Sequence, residues 1–161
     1  MEKKSVYLDS TIPSYYFDER ESVLNFIDAT RSWWDSERSK YRLYASEITL
    51  AEIQNGDYPN KKRVFDLMKG VNLLALNKTI EDVALVYGKE FVMPSRNKGD
   101  AYHLAMASYY KIDFLLTWNC EHLANANKSM HIAAVNMRLG LFVPAIVTPL
   151  QLISESPGGE S

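Results

Sequence analysis

The alternation of short apolar segments with amphipathic ones constrains the fold of this chain more than any other feature of its sequence. Segments rich in β-branched, aromatic and leucine residues, bounded by turn or cap signals, predict strands at residues 5–8, 42–45, 72–76, 113–117 and 145–148. The longer segments between them carry apolar residues three and four positions apart, which predicts helices. Because the strands are mostly apolar on both faces, the pattern predicts a three-layer α/β/α domain with a central, mostly parallel sheet.

The composition fits one domain of this kind. The chain has 161 residues, of which 47% are hydrophobic, enough for a core without disulfides or a structural metal. We expect a single domain over residues 1–153 and a solvated tail over residues 154–161, SESPGGES.

The sequence also predicts a cytoplasmic protein. Its one cysteine, Cys120, cannot form an intrachain disulfide, which suits a reducing compartment. No apolar run approaches the length of a membrane span, and MEKKSVYLDS lacks the apolar region of a signal peptide. We therefore expect no membrane association.

Charge limits the ways in which the chain could bind nucleic acid. Lys and Arg number 18 against 20 Asp and Glu, a formal net charge of −2. Broad nonspecific binding to phosphates depends on clustered cations, so this balance argues against it.

Polar residues follow two of the predicted strands at their carboxyl ends, where sites usually lie in parallel sheets. Asp9 and Ser10 follow the first strand, and Thr117 and Asn119 follow the fourth. An alternative is that Asp9 or Ser10 only caps the helix that begins near Pro13.

Two further carboxylates lie on predicted helices. Asp100 opens the amphipathic run AYHLAMA, where it could simply complement the helix dipole. Glu52 lies a turn inside its helix among Ile48, Ala51 and Ile53, and its alternative is a solvated helix face.

Taken together, these residues predict a metal site. Asp9, Glu52, Asp100 and Asn119 are oxygen donors from four elements of one domain, and oxygen ligands without cysteine suit Mg²⁺ or Mn²⁺. Three converging carboxylates would repel one another unless a divalent cation neutralised them. Such a site supports phosphodiester hydrolysis by a metal-activated water.

At these residues the chain resembles PIN-domain proteins, and more narrowly the VapC-type toxins of toxin–antitoxin pairs. The resemblance covers residues 6–153 and is carried by VYLDST, SEITLAEI, GDAYHLAMA and LLTWNCEHL, in that order. It implies an acidic Mg²⁺ or Mn²⁺ site at the carboxyl edge of a parallel sheet, with Asp9, Glu52, Asp100 and Asn119 as ligands and catalytic residues. It also implies a ribonuclease that cuts single-stranded or loop RNA, an antitoxin partner and a homodimer.

The sequence departs from the pattern of this family at two positions. Asn119 supplies a neutral ligand where the family often has aspartate, and His122 replaces a further acid. These departures leave open whether one or two metals bind. They also motivate a second hypothesis, a PIN-like binding module with weak or no catalysis that acts through a protein partner. A third hypothesis, an aspartyl-phosphate phosphohydrolase, is disfavoured because Thr11 stands where its second aspartate belongs.

Several residues near the proposed ligands could contact RNA. Ser10 and Thr117 offer hydroxyls, and Arg96 and Lys98 offer positive charge to phosphates, although these two cations could equally belong to a solvated loop. Trp118 could stack on a base or belong to the core. His103, one helical turn after Asp100, could orient a water or a carboxylate, or be an ordinary buried histidine.

Overall fold

All five predicted strands form. The structure is a computed structural model that describes residues 2–90, 92, 98–119 and 126–153, so the predicted tail at 154–161 lies outside the described residues. The strands are β1 (Lys4–Leu8), β2 (Tyr41–Ser46), β3 (Asn72–Leu74), β4 (Phe114–Leu116) and β5 (Ala145–Val147). Their ends differ from the predicted ones by at most two residues, and β3 and β4 are each two residues shorter than predicted.

Helices fill the connections between the strands. In the described ranges they are α1 (Thr11–Tyr16), α2 (Leu24–Ser36), α3 (Glu47–Asn55), α4 (Lys61–Leu67), α5 (Lys78–Lys89), α6 (Lys98–Tyr109) and α7 (Ala126–Leu139). Single 3-10 turns lie at Glu21–Val23 and Arg38–Lys40. None of the helices in those ranges is long and apolar enough to cross a membrane.

The sheet is parallel throughout, with the order β3-β2-β1-β4-β5. The chain extends the sheet from β1 towards β3 and then places β4 and β5 on the other side of β1. The strand order therefore reverses between β1 and β4, and in sheets of this kind ligands bind in the crevice at the carboxyl ends of the strands beside that reversal.

Apolar residues cover both faces of the sheet, as the three-layer prediction requires. Val6 and Leu8 of β1 belong to a buried cluster with residues of α1 to α4, whereas Tyr7 points into a second cluster with α5, α6 and α7. The same alternation separates Leu115 from Leu116 on β4. Because successive residues of a strand face opposite sides, two helical layers pack on one thin sheet.

A buried polar network joins the three helices of the second layer. Tyr87 on α5 donates its hydroxyl hydrogen to Asn136 on α7, with 2.6 Å between the oxygens, and its hydroxyl lies 3.2 Å from that of Ser108 on α6. Asn136 Nδ2 donates in turn to Ser108 Oγ at 2.9 Å. Burial raises the pKa of Tyr87 to about 12, so the tyrosine remains a neutral donor.

We expect Tyr87→Phe to cost about 1–3 kcal/mol of unfolding free energy, since it removes the donor to buried Asn136 Oδ1, while Asn136 Nδ2 stays bonded to Ser108. Urea denaturation measures this cost. A loss above roughly 3 kcal/mol would show that the hydrogen bond between Asn136 and Ser108 does not persist without the tyrosine hydroxyl.

Candidate functional site

The candidate site lies where β1 and β4 end, at the reversal of strand order. Leu8 and Leu116 are the last paired residues of these strands, so Asp9 and Thr117 leave the sheet side by side. The backbone N–H of Asp9 still donates to the carbonyl of Leu116, at 3.4 Å. The sequence predicted this meeting of strand ends, and the topology provides it.

Asp9 is buried, with 2% of its surface exposed, and is held from both sides. Its Oδ1 accepts hydrogen bonds from the backbone N–H of Thr11, at 3.0 Å, and from the Thr11 hydroxyl. Its Oδ2 accepts from the hydroxyl of Thr117. The bond from the Thr11 backbone is an Asx turn just before α1, whose N-cap residue, Ser10, makes no side-chain capping bond. The bond to Thr117 crosses the sheet and fixes the carboxylate at the switch point.

Burial raises the pKa of Asp9 to about 6, from an ordinary value of 3.8. The positive charge of His103 and the hydroxyls of Thr11 and Thr117 oppose this rise, whereas the negative charge of Glu52 adds to it. The charges of His103 and Glu52 therefore act directly on Asp9. A desolvated carboxylate of this kind is stabilised when a cation binds beside it.

Asp100 and Asn119 form a second pair at the same edge of the sheet. Asn119 Nδ2 donates to Asp100 Oδ2 at 2.6 Å, and the Asn119 backbone N–H donates to Thr117 Oγ1 at 2.9 Å. Thr117 thus links Asn119 and Asp100 to Asp9. Asp100 lies in the first turn of α6 and is buried, so the dipole contribution that the sequence allowed is present as well.

Glu52 reaches the site from α3 but faces a histidine. His103 Nε2 lies 2.7 Å from Glu52 Oε1, and His103 Nδ1 lies 2.8 Å from the hydroxyl of Tyr7. The Tyr7 hydroxyl is in turn 2.7 Å from Ser46 Oγ, at the N-terminal cap of α3. A row of hydrogen bonds therefore runs from the middle of β1 to Glu52.

The contact between Glu52 and His103 shifts the pKa of both side chains. Burial alone would raise the pKa of Glu52, but the hydrogen bond and charge of His103, with a hydrogen bond from Ser10, lower it. Burial opposes the charged form of His103, but the influence of Tyr7, Glu52 and Asp9 raises the pKa of His103 well above its ordinary value. The two shifts in pKa favour the charged form of each partner.

The predicted RNA-contacting residues have different positions. The hydroxyl of Ser10 interacts with Glu52, and the hydroxyl of Thr117 is buried and engaged with Asp9. Arg96 lies outside the described residues, as do Cys120 and His122. Lys98 is the first residue of α6, and its side chain is also outside the described part.

The Trp118 indole belongs to the core rather than to an open stacking surface. The indole is buried, and its Nε1–H donates to Thr30 Oγ1 at 2.7 Å. The backbone N–H of Trp118 donates to Thr11 Oγ1 at 3.0 Å, so the residue helps to hold the Asp9 loop.

Sequence reasoning missed two residues that shape the site. Thr11 was considered only as the absence of an aspartate, yet its backbone and hydroxyl bind Asp9. The sequence indicated only that Tyr7 is a strand residue of the core, yet its hydroxyl contacts His103. The signal for Thr11 was present, because Asp followed two residues later by Thr at a helix start commonly forms such a turn. A buried tyrosine hydroxyl needs a partner, but the sequence cannot say which.

The donors suit a hard divalent cation in part. Asp9, Asp100 and the amide oxygen of Asn119 form an all-oxygen set. Within the described ranges, however, no group of three or more His, Cys, Asp or Glu side chains is placed to hold a metal. Glu52 lies 2.7 Å from His103 Nε2, so one of its two oxygens is already engaged.

The fold and these polar groups define a class, a three-layer α/β/α protein with its candidate site at the switch point of a parallel sheet. Comparisons with models of known protein families and with curated proteins gave no match.

Among solved structures, the fold is similar to that of VapBC-1 from nontypeable Haemophilus influenzae. The TM-score is 0.54 at 19% sequence identity, over 91% of this chain and 98% of that chain. The predicted resemblance to VapC-type PIN-domain proteins is therefore confirmed at the level of the fold.

Proposed function

We propose that this protein is a Mg²⁺- or Mn²⁺-dependent endoribonuclease that acts as the toxin of a toxin–antitoxin pair in the cytoplasm. The observation that carries the proposal is the meeting of Asp9 with Asp100 and Asn119 at the switch point of a PIN-like fold. The similarity of fold to VapBC-1 supports the same class.

Asp9, Asp100 and the amide oxygen of Asn119 would hold the cation. When bound, a divalent cation lowers the pKa of a coordinated water and stabilises charge on the phosphoryl oxygens. The protein's own part is orientation. The hydroxyls of Thr11 and Thr117 fix Asp9, and the amide N–H of Asn119 fixes Asp100, so few side-chain rotations remain to be lost on binding.

RNA recognition would rest on a few local contacts. The net charge of −2 gives no general attraction to phosphates, so Arg96 and Lys98 are proposed to supply positive charge beside Asp100. Ser10, at the start of α1, is proposed to offer its hydroxyl to the substrate. A few local contacts of this kind favour binding to a particular single-stranded or loop feature of RNA over indiscriminate RNA binding.

Metal removal and one conservative substitution test the proposal. The purified protein should cleave single-stranded RNA with Mg²⁺ or Mn²⁺ and lose this activity in EDTA. Asp100→Asn keeps the shape of the side chain but removes a charge, and we expect it to lower kcat about 100-fold.

The matched control for this test is Asp82→Asn on α5. It breaks only an exposed ion pair with Lys78 and should retain full activity. Cleavage that persists in EDTA, or an Asp100→Asn variant as active as the wild type, would contradict the assigned site.

A second candidate function, a PIN-like binding module acting through a protein partner, is favoured by one observation. Glu52 is engaged by His103 and Asn119 is neutral, so the site holds less negative charge than a strong metal site would. A Mn²⁺ titration separates the two candidates. No binding at millimolar Mn²⁺ would favour the module, whereas saturable binding that Asp100→Asn weakens would favour the enzyme.

A ribonuclease that acts on its own cell's RNA requires control, which is the physical argument for a small antitoxin partner. A homodimer is proposed on the basis of the resemblance to VapC-type toxins. Light scattering on the purified chain tests the dimer, for which the solution mass should be twice 18.4 kDa.

A further inference from the structure

We propose that His103, backed by Tyr7, is a positioning residue that holds Glu52 as an oriented hydrogen-bond acceptor beside Asp9 and Asp100, outside the ligand set of the cation. This inference rests on the proposed function and assigns separate roles to carboxylates that the sequence grouped as equals. Glu52 would accept a hydrogen bond from the attacking water, while Asp9, Asp100 and Asn119 would bind the metal.

The residues that hold Glu52 form an unbroken row of hydrogen bonds, and their rings are buried. His103 is 1% exposed and Tyr7 is fully buried, so neither ring can turn to find water. Tyr7 sits on β1, directly beside the strand end that carries Asp9. Its hydroxyl lies 2.8 Å from His103 and 2.7 Å from Ser46, which caps α3. The position of the imidazole is thus set by the sheet and by the helix that carries Glu52.

Glu52 is constrained at its other carboxylate oxygen as well. A side chain at position 99 would overlap Oε2 of Glu52, so the space that this oxygen occupies exists because the residue there is glycine. The hydroxyl of Ser10 also interacts with the carboxylate. The contacts with Gly99, Ser10 and His103 together restrict the orientation of Glu52.

This orientation suits an acceptor that faces the substrate. About a third of the Glu52 side chain, 35%, is exposed, whereas its imidazole partner is closed to solvent. The carboxylate is therefore accessible to a water or a phosphodiester, while its Oε1 already lies 2.7 Å from His103 Nε2. A carboxylate oxygen engaged in this way is less available to a metal ion than an unengaged one.

The first experiment measures kcat and KM for RNA cleavage by His103→Leu, His103→Gln and Glu52→Gln. Removing a positioning partner of this kind typically lowers activity about 10- to 100-fold. We expect His103→Leu to lower kcat within that range with little change in KM, and His103→Gln to recover part of it, because its amide can still donate to Glu52. In a Glu52→Gln background, His103→Leu should have no further effect, which a merely structural role would not predict.

A second variant avoids disturbing the buried histidine. Gly99→Ala should displace Glu52 without removing it and lower kcat, since misplacement of a reacting group by about 1 Å can cost on the order of 100-fold. The matched control is Gly88→Ala on α5, where an added methyl group meets nothing within 4 Å and activity should be unchanged. Melting curves confirm that both variants are folded.

A Mn²⁺ titration by calorimetry provides a readout independent of catalysis. Glu52→Gln should bind Mn²⁺ within about 2-fold of the wild type, whereas Asp9→Asn should bind at least about 10-fold more weakly. The inference is overturned if Glu52→Gln loses as much affinity as Asp9→Asn, or if His103→Leu cleaves RNA as fast as the wild type. A wild-type protein that binds Mn²⁺ but cleaves no RNA would instead overturn the proposed function.

Discussion

Replacing Asp9 by asparagine should abolish RNA cleavage and, in the metal-free protein, raise the free energy of unfolding at neutral pH. The loss of activity should be on the order of 1000-fold, because the variant removes the buried charge that would bind the cation. A substitution that raises stability and lowers activity is typical at a residue that is retained for function.

The sign of the stability change follows from the pKa of Asp9. Burial raises that pKa to about 6, above the ordinary 3.8 of an unfolded chain, so the native state holds the proton more tightly. Below about pH 4 the residue is protonated in both states and costs nothing. As the pH rises from about 4 to 6, the unfolded chain loses its proton before the native state does, so the wild type loses stability. Above pH 6 the native state buries the charge, at a full cost on the order of 3 kcal/mol for a shift of this size. Asparagine carries no such cost.

Urea denaturation in EDTA at pH 7.5 and at pH 4 measures this difference. We expect Asp9→Asn to be about 1–3 kcal/mol more stable than the wild type at pH 7.5 and nearly equal to it at pH 4, because asparagine can still accept from Thr11 and can donate to Thr117. Asp82→Asn, at an exposed position, should show neither effect. A variant that is destabilised at both pH values would show that Asp9 is retained for structure.

The sequence predicted the strands and the placement of Asp9 and Thr117 at one edge of the sheet because both depend on local patterns. The runs VYL and FLL are apolar, short and followed by polar residues, and a parallel sheet brings such ends to one edge. The strand order itself is not local. It required the packing of helices on both faces, which fixed β4 beside β1 rather than beside β3.

The role of Glu52 could not be predicted in the same way. Its partner His103 lies on α6, and the two helices come together only in the folded chain. Helical spacing placed His103 near Asp100, one turn away, whereas packing turned the imidazole to Glu52 and Tyr7. Pairing across helices is decided by the three-dimensional arrangement, so the sequence could group Glu52 with the other acids but could not show that it contacts His103.

Asn119→Asp should show what the neutral residue at that position does. In the metal-free protein the change replaces a donor that lies 2.6 Å from Asp100 Oδ2 with a second carboxylate. We expect a loss of about 1–3 kcal/mol in unfolding free energy at pH 7.5, from the lost hydrogen bond and the repulsion of like charges. A cation binding between the two carboxylates would remove the repulsion, so Mn²⁺ affinity should rise by about 10-fold, or 1.4 kcal/mol.

Calorimetric titration with Mn²⁺ and melting curves with and without the ion test both parts of this prediction. The stabilisation by a fixed Mn²⁺ concentration should be larger for Asn119→Asp than for the wild type, because it grows with the ratio of ligand concentration to Kd. Asn77→Asp is the matched control, since it adds the same charge at the N-terminal cap of α5, where either residue can accept from the backbone. If Asn119→Asp unfolds like the wild type and binds Mn²⁺ no more tightly, Asp100 and Asn119 do not hold a metal together. The binding-module alternative would then explain the site better than the ribonuclease, because two of the three proposed ligands would not act together on a cation.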